Sequence, residues 1–597
     1  MQERNNCSRT ISVSVRNLVE RVLRCGDLSL IFQGSSRAAS LAGIRAHQKI
    51  QRSRPSCYES EVPVSYIYEA ETVSLFLQGR IDGLYKQKGR IVVEEIKTTH
   101  RALDLFINDQ NKLHWGQLKA YAAIYAAENN LDSVLAQLTY YQMTTGEIKS
   151  FIEEFQYVEV MLFLEDLIKT YLEWLAKIDD WHRIRDDLIS TSPFPFSTYR
   201  KGQSQMMEDI GETIARQDQI IIQAPTGIGK TVATLFPAVK ALAEGHTQKI
   251  FYLTARTTGR AIAEKTLEEL RKKGLRIKAV ALMAREKICF NPERSCNPDE
   301  CEYARGFFDR INNALETFFA CDIFSMEKTR AAARKHKVCP YVFSLELALW
   351  ADCIICDVNY AFDPRVYLKQ FFGESSSDYT FLVDEAHNLV DRSREMFSAA
   401  LDKSSFLRLR RKFKNKHSAI FKSAGKINTE FLKYRKKCDF ENDFFFEKSR
   451  PEELLSPLIG FINTMERWLA TNPGLSLSDP ILDLYYDILH FLRMADLFDS
   501  HYTTYYQMRG NDFIIKLFCV DPSQQMREAL KRASSAVLFS ATLTPLSYFL
   551  QVLGCHESAE QRAFPSPFPP DNLCVLYSPA ISTYYHHRDK TKAALAR

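Results

Sequence analysis

An apolar run, Gln219-Ile220-Ile221-Ile222-Gln223, leads directly into Ala224-Pro225-Thr226-Gly227-Ile228-Gly229-Lys230-Thr231. A buried strand feeding a glycine-bearing loop and then a helix is the setting that a phosphate-binding loop requires. Gly227 and Gly229 let backbone N–H groups turn toward phosphate oxygens, and the start of the next helix adds a favourable dipole. Lys230 is placed to reach terminal phosphates and Thr231 to hold Mg²⁺, so the loop predicts ATP and Mg²⁺ as ligands. Ala224 stands where the stricter pattern has its first glycine. Across residues 198–395, apolar strands alternate with helical patterns, which predicts a parallel α/β sheet around this loop.

A second strand, Tyr379-Thr380-Phe381-Leu382-Val383, ends in Asp384-Glu385-Ala386-His387. Carboxylates at the carboxyl end of a buried strand lie where parallel sheets bind ligands. Asp384 would fix Mg²⁺, and Glu385 would polarise the water that attacks the phosphate. Further on, Ser540-Ala541-Thr542-Leu543-Thr544-Pro545 follows another apolar strand, and Tyr199-Arg200-Lys201-Gly202-Gln203 precedes the first. In order and spacing these four segments resemble the XPD/DinG-like iron–sulfur DNA helicases of superfamily 2, over about residues 195–590. The resemblance implies ATP-driven 5′-to-3′ movement along single-stranded DNA, in repair or processing. It also implies an adenine contact for Gln203 and a coupling role for the Ser540 segment.

Seven of the 14 cysteines crowd one region: Cys289, Cys296, Cys301, Cys321, Cys339, Cys353 and Cys356. The first thirty residues interleave Arg, Glu and Asp with apolar positions and do not form a secretion signal, so a cytoplasmic protein is expected. There, such density indicates metal or cluster ligation before disulfides. Cys289, Cys296 and Cys301, with Cys339 in Val338-Cys339-Pro340-Tyr341, supply four thiolates, which suit zinc or a [4Fe–4S] cluster equally on ligand count. The spacings do not match a paired zinc ribbon. Their placement between the two nucleotide motifs resembles the helicase family's iron–sulfur insertion, at about residues 280–345, and implies the cluster. Cys353 and Cys356 fall on an apolar strand and are expected in the core. Cys321 is a possible substitute ligand.

Ahead of all this, Gly79-Arg80-Ile81-Asp82-Gly83 is followed by Ile91-Val92-Val93-Glu94-Glu95-Ile96-Lys97. On a strand, Glu95 and Lys97 project to one face and Glu94 to the other. Asp82 and Glu95 could share Mg²⁺ or Mn²⁺, with Lys97 orienting or deprotonating the attacking water. A surface strand can carry the same residues. Gln117 and Tyr121, one helical turn apart, and His47, a further metal ligand, tilt the balance. Together these residues resemble the RecB-type PD-(D/E)XK nucleases over about residues 15–155, which implies metal-dependent cleavage of DNA.

The expected organisation is a nuclease-like α/β domain at 1–185, a linker at Ser190–Ser197, and a RecA-like motor domain at 190–395. A helical, arch-like insertion at 396–510 follows, then completion of the motor at 511–550 and the start of a second motor domain at 551–597. Between Leu401 and Lys437, thirteen Lys or Arg stand against Asp402 and Glu430. Phe406, Phe413, Phe421, Phe431 and Tyr434 are interleaved, a mixture suited to single-stranded nucleic acid or to a solvated helix face over an aromatic core. Ser566-Pro567-Phe568 and Thr583-Tyr584-Tyr585 resemble the start of the second motor domain, and its later motifs do not follow. The alternative expectation is therefore a DNA-binding nuclease, or an ATP-binding fragment whose motor does not turn over. No run approaches the roughly 18 apolar residues needed to span a bilayer, so no membrane partner is expected.

Overall fold

The computed structural model describes residues 9–28, 46–70, 73–99, 103–143, 145–294, 296–373, 378–438, 443–472, 480–572, 574, 581–582 and 584–595. Thr583 lies outside them. The described residues build three sheets.

The front sheet holds β1 (Arg9–Ser14), β2 (Glu59–Glu69), β3 (Val73–Gln87), β4 (Arg90–Thr99), β5 (Ser133–Gln142) and β6 (Ile148–Gln156). Its order is β1-β3-β4-β5-β6, with β2 against β3; β1–β3 and β4–β5 run parallel and the other pairs antiparallel. Helices α1 (Val15–Leu23), α3 (Leu103–Asn129) and α4 (Tyr157–Thr191) flank it, with a short α2 at 46–52. Apolar positions one turn apart, such as Val15, Leu18 and Val19 or Val160, Leu164 and Leu167, bury their faces in one core with Leu75, Leu77, Ile81 and Val93. The apolar runs Leu75–Leu77 and Ile81–Tyr85 belong to one strand, β3. Gly79 and Gly83 lie within it because the rings of Tyr121 and Tyr58 occupy the space a Cβ would need.

Helix α4 is the structural bridge. Its 35 residues contain neither Gly nor Pro, and it runs on to Thr191, through the start of the expected linker. Its first half packs in the front core, whereas Ile178 and Ile189 belong to the cores of the motor. Trp181 Nε1 donates to Asp352 Oδ2 at 3.1 Å, and the buried Arg185 guanidinium pairs with the Asp352 carboxylate. Loss of either partner would strand a buried charge, at a cost of about 3–5 kcal/mol. A second joint starts from the end of α1. The Arg21 guanidinium lies 4.6 Å from the ring of Trp174 and 4.7 Å from that of Trp350. Arg24 pairs with Glu346 at 2.8 Å. Gly26 N donates to Asp309 Oδ1 at 2.8 Å, and Gly306 N to Asp27 Oδ1 at 2.6 Å. The front module is thus stitched to the segment that follows Cys301.

The motor sheet comprises β7 (Gln219–Gln223), β8 (Lys249–Thr254), β9 (Ala279–Ala281), β10 (Ile323–Phe324), β11 (Cys353–Cys356) and β12 (Tyr379–Asp384). The chain then leaves for the insertion, whose strands are β13 (Ala399–Asp402), β14 (Phe444–Glu447), β15 (Tyr502–Arg509) and β16 (Asp512–Cys519). It returns as β17 (Ser535–Ser540) and β18 (Glu560–Ala563). All eight motor strands are parallel, in the order β10-β9-β11-β8-β12-β17-β7-β18. Parallel strands covered on both faces read as continuous apolar runs, as Ile220–Ile222 and Phe381–Val383 do. Helix α5 (Lys230–Ala243) follows the glycine loop.

Three expectations need correction here. The insertion is not helical alone: helices α6 (Lys403–Phe413), α7 (Ser418–Arg435) and α8 (Pro480–Asp496) pack on an antiparallel sheet, β13-β16-β15-β14. Residues 512–519, assigned above to the motor, complete that sheet. Residues 560–563, assigned to a second motor domain, pair with β7 and extend the first. The basic helices also resolve in favour of their second reading. Phe406, Phe413, Phe431 and Tyr434 are buried, at the three- and four-residue spacing of a core-facing stripe, while Arg408, Arg411, Lys412, Lys414 and Lys416 face solvent. Phe421 is half-buried under the guanidinium of Arg410, at 4.6 Å. Among the described residues, no helix is long and apolar enough to cross a membrane.

Candidate functional site

The loop after β7 needs left-handed backbone at Gly227 (φ +93°) and Gly229 (φ +83°), which glycine adopts without steric cost. Ala224 N donates to Ser540 O at 2.9 Å, tying the loop's first residue to the end of β17. Gln203 is buried behind the loop, with Nε2 donating to Ile228 O at 3.0 Å and Oε1 accepting from Arg200 N at 3.1 Å. Both ends of its amide are therefore engaged, and the residue expected at adenine braces the loop. Pro225 and Thr226 complete the turn, and Arg200 donates to Gly227 O.

Lys230 Nζ lies 3.4 Å from Pro225 O; burial lowers its pKa, while Glu385 and Asp384 pull it back up. At the end of β12, Asp384 Oδ2 accepts from Tyr252 Oη at 3.0 Å and Oδ1 from Glu385 N at 2.9 Å. Burial pushes the Asp384 carboxyl up, against those hydrogen bonds and Lys230. The Tyr252 hydroxyl engages Thr231 as well, so one phenol joins the two side chains expected at Mg²⁺. Glu385 has left-handed backbone, φ +53°, a cost of about 1 kcal/mol for a non-glycine residue. That turn aims its carboxylate at β17: Oε2 accepts from Ser540 Oγ at 3.3 Å and lies 3.2 Å from His387 Nδ1. His387 Nδ1 and Ser540 Oγ are 2.6 Å apart, and Arg256 Nη1 stands 3.9 Å from Glu385 Oε1. Tyr252 and Arg256 escaped the sequence reading. Their signal is the strand Lys249–Thr254 followed by Ala255-Arg256, but only the sheet order places β8 beside β12.

The cysteines gather on one side of the motor. Asn291 N donates to Cys289 Sγ at 3.4 Å, Asn291 Nδ2 lies 3.9 Å from Cys301 Sγ, and Arg285 Nη1 lies 3.6 Å from Cys296 Sγ. Cys339 opens the helix Pro340–Trp350; burial pushes its thiol up to about 12, and Cys289 and Cys296 add to the shift. Cys289, Cys296, Cys301 and Cys339 form no disulfide. The four thiols are therefore neighbours in electrostatic reach, yet among the described residues no three His, Cys, Asp or Glu side chains stand close enough to hold an ion. Cys353 and Cys356 are buried in β11, as expected of core thiols, and Cys321 donates to Ile323 O at 3.3 Å.

In the front module, β3 and β4 part beyond Gly83 and Glu94, and Asp82 Oδ2 accepts from Ile96 N at 2.7 Å across the gap. Lys97 Nζ lies 2.7 Å from Glu95 Oε1 and donates to Gln117 Oε1 at 2.8 Å; Gln117 Nε2 reaches Tyr121 Oη at 3.4 Å. His47 Nδ1 is 3.7 Å from Asp82 Oδ1. All six polar residues picked from sequence thus converge. Burial pushes the Glu95 carboxyl up to about 7, Lys97 opposing and Asp82 adding, and Glu95 Oε2 is buried without a partner. Burial lowers the pKa of His47, but Asp82 and Glu95 outweigh it and raise it. Glu94, on the opposite face, is fully buried against Arg54, Gln137 and Thr139.

Comparison with known proteins agrees with the motor geometry. The DEAD/DEAH box helicase family model matches residues 200–294, and the DEAD_2 model matches residues 254–406. Regulator of telomere elongation helicase 1 of Bos taurus is 25% identical over 257 residues, which is 35% of this chain and 21% of that protein. The general transcription and DNA repair factor IIH helicase subunit XPD/RAD3 of Saccharomyces cerevisiae is 24% identical over 255 residues, 36% of this chain and 32% of that protein. This chain thus spans between about a fifth and a third of the length of these relatives. A solved structure titled "Truncated XPD" overlaps 60% of this chain and 99% of its own, at 18% identity and a TM-score of 0.40. The nucleotide loop and the DEAH strand both lie within the matched residues, so residues 200–406 carry the DEAD/DEAH box and DEAD_2 helicase signatures and are similar to the XPD-type helicases.

Proposed function

We propose that this protein is an ATP-dependent DNA helicase of repair or processing, with 5′-to-3′ movement, a [4Fe–4S] cluster and a metal-dependent nuclease module. The observation that carries the motor reading is the convergence of Lys230, the Thr231–Tyr252–Asp384 chain and the Glu385–Ser540–His387 triangle at neighbouring strand ends. Backbone N–H groups and Lys230 hold the phosphates, Thr231 and Asp384 hold Mg²⁺, and Glu385 orients the attacking water. Ser540 touches Glu385 through its side chain and the loop through its carbonyl, while Thr544 Oγ1 donates to Gln223 Oε1 at 2.7 Å. A change at the γ-phosphate therefore reaches the segment that follows β17. Single-stranded DNA is expected to stimulate phosphate release severalfold, read with a coupled phosphate sensor; nucleotide turnover indifferent to DNA at low salt would overturn the motor reading.

Cys289, Cys296, Cys301 and Cys339 fit the cluster by donor chemistry: four free, partly buried thiols beside cationic Arg285. When bound, the cluster supplies iron–thiolate bonds that cross-link the loop at 289–301 to the helix beginning at Pro340. Anaerobically purified protein is expected to carry about four irons with a broad band near 400 nm, and Cys339→Ser to lose both. Stoichiometric zinc without iron would refute the assignment. In the front module, Asp82, Glu95 and His47 do not stand close enough as placed to hold an ion; drawn together they would bind Mg²⁺ or Mn²⁺, which would supply Lewis-acid charge to the phosphodiester. Lys97 sits where it can position the attacking water, and Gln117 fixes its ammonium.

A further inference from the structure

The rings of α6 and α7 are core, except Phe421, which Arg410 covers, so the stacking surface of the insertion must be sought elsewhere. Alternation along β14, β15 and β16 supplies one. Phe445, Tyr506, Phe513, Ile515 and Leu517 point inward, where Phe431 and Tyr434 of α7 meet Phe513 and Tyr506. The partners Phe446↔Tyr505, Tyr505↔Lys516 and Thr503↔Phe518, with Phe444, place their side chains on the other face. Phe444 is 48% exposed and Phe446 61%. The rings form a continuous row: Phe446 to Phe444 at 6.2 Å, Phe444 to Tyr505 at 5.6 Å, and Tyr505 to Phe518 at 6.2 Å between centroids. Lys516 Nζ sits over the last two, 5.6 Å from Tyr505 and 5.1 Å from Phe518. The two carboxylates at the hairpin end of this face, Asp402 and Asp512, are engaged with the backbone of Ser405 and Ser404 at the start of α6.

We propose that this outer sheet face is a stacking platform for single-stranded DNA. It rests on the reading of the chain as a DNA helicase and adds a binding surface within the insertion, apart from the nucleotide cleft. Four rings, an ammonium and the exposed amide of Gln507, with no unengaged carboxylate on this face among the described residues, suit unpaired bases flanked by phosphates. Polar rather than apolar neighbours argue against a purely hydrophobic partner. Exposed solvation of Phe444 and Phe446 means that their loss leaves the inward core untouched.

The test is anisotropy of fluorescein-labelled oligo(dT) without nucleotide, on the whole chain. Phe446→Ala and Tyr505→Ala should each weaken binding by about 10-fold, and Phe446→Trp should restore it, as stacking on any aromatic ring would. Lys516→Ala should reduce the slope of log affinity against log salt by somewhat less than one. Photocrosslinks from 5-iodo-deoxyuridine should map to peptides containing Phe446 or Tyr505. Wild-type affinity in Phe446→Ala/Tyr505→Ala, with crosslinks confined to the motor, would overturn the platform and leave the helicase reading standing. Failure of the wild type to bind oligo(dT) would overturn both. A concentration-dependent dimer abolished by Phe446→Glu, with DNA affinity unchanged, would assign the face to a second copy of the chain and refute the proposal.

Discussion

Lys97→Ala and Asp82→Ala are each expected to lower Mn²⁺- or Mg²⁺-dependent DNA cleavage by about 10²–10⁴-fold, with DNA binding retained. The size follows from the geometry. Lys97 Nζ is held between Glu95 Oε1 and Gln117 Oε1, so it has one orientation and no alternative partner to supply. Glu95 keeps a second oxygen, buried and unpartnered, whose desolvation only a cation or a proton can offset. A gel assay of a labelled single strand with added Mn²⁺ reads cleavage, and anisotropy in EDTA reads binding. Glu94→Gln is the contrast: it disrupts the Arg54 pairing on the opposite face, so it should lower the urea midpoint and leave the metal dependence of cleavage unchanged. Equal cleavage by wild type and Lys97→Ala would return this strand to a purely structural role.

The second large effect separates binding from turnover at the nucleotide. Glu385→Gln should retain Mg-ATP, measured with a fluorescent analogue, yet lose phosphate release by at least about 10²-fold. The amide keeps the size of the side chain and the left-handed turn at that residue, and removes the charge that orients water. Lys230→Ala should instead lose the nucleotide itself, because the ammonium, half-buried beside Asp384 and Glu385 at the end of the loop, is the charge placed to meet the terminal phosphates. Ser540→Ala tests the link between them: it should bind ATP and blunt stimulation by DNA, since the Ser540 hydroxyl joins Glu385 to β17. Identical nucleotide affinity in Lys230→Ala would refute the loop assignment.

Local pattern explains which parts of this picture the residues reveal before folding. The glycine loop and the DEAH strand are legible because strand, turn and helix lie within a few residues of each other. Glu95 and Lys97 fall together because a strand has a period of two, which also sends Glu94 away. Tyr252 and Arg256 are illegible for the opposite reason: they join the site through the adjacency of β8 and β12, strands more than a hundred residues apart. The insertion shows both errors. Phe406, Leu409 and Phe413 carry a helix's core period, so their burial follows from spacing that the surrounding charge obscured. The sheet they cover is assembled from β14 and β15, separated by two helices, and no local signal pairs them.

A helix without a hinge fixes rotational phase as well as distance. In α4, one inserted residue near Tyr171 would turn everything before it by about 100° and advance it by about 1.5 Å. Seven would come back to within about 20° of the original facing but lengthen the span by about 10 Å. Either change would pull Arg21 out from between Trp174 and Trp350 and separate Gly26 from Asp309. The front carboxylates and the phosphate loop therefore keep one angular register. A strand passing both would meet them at a constant offset, whatever its sequence.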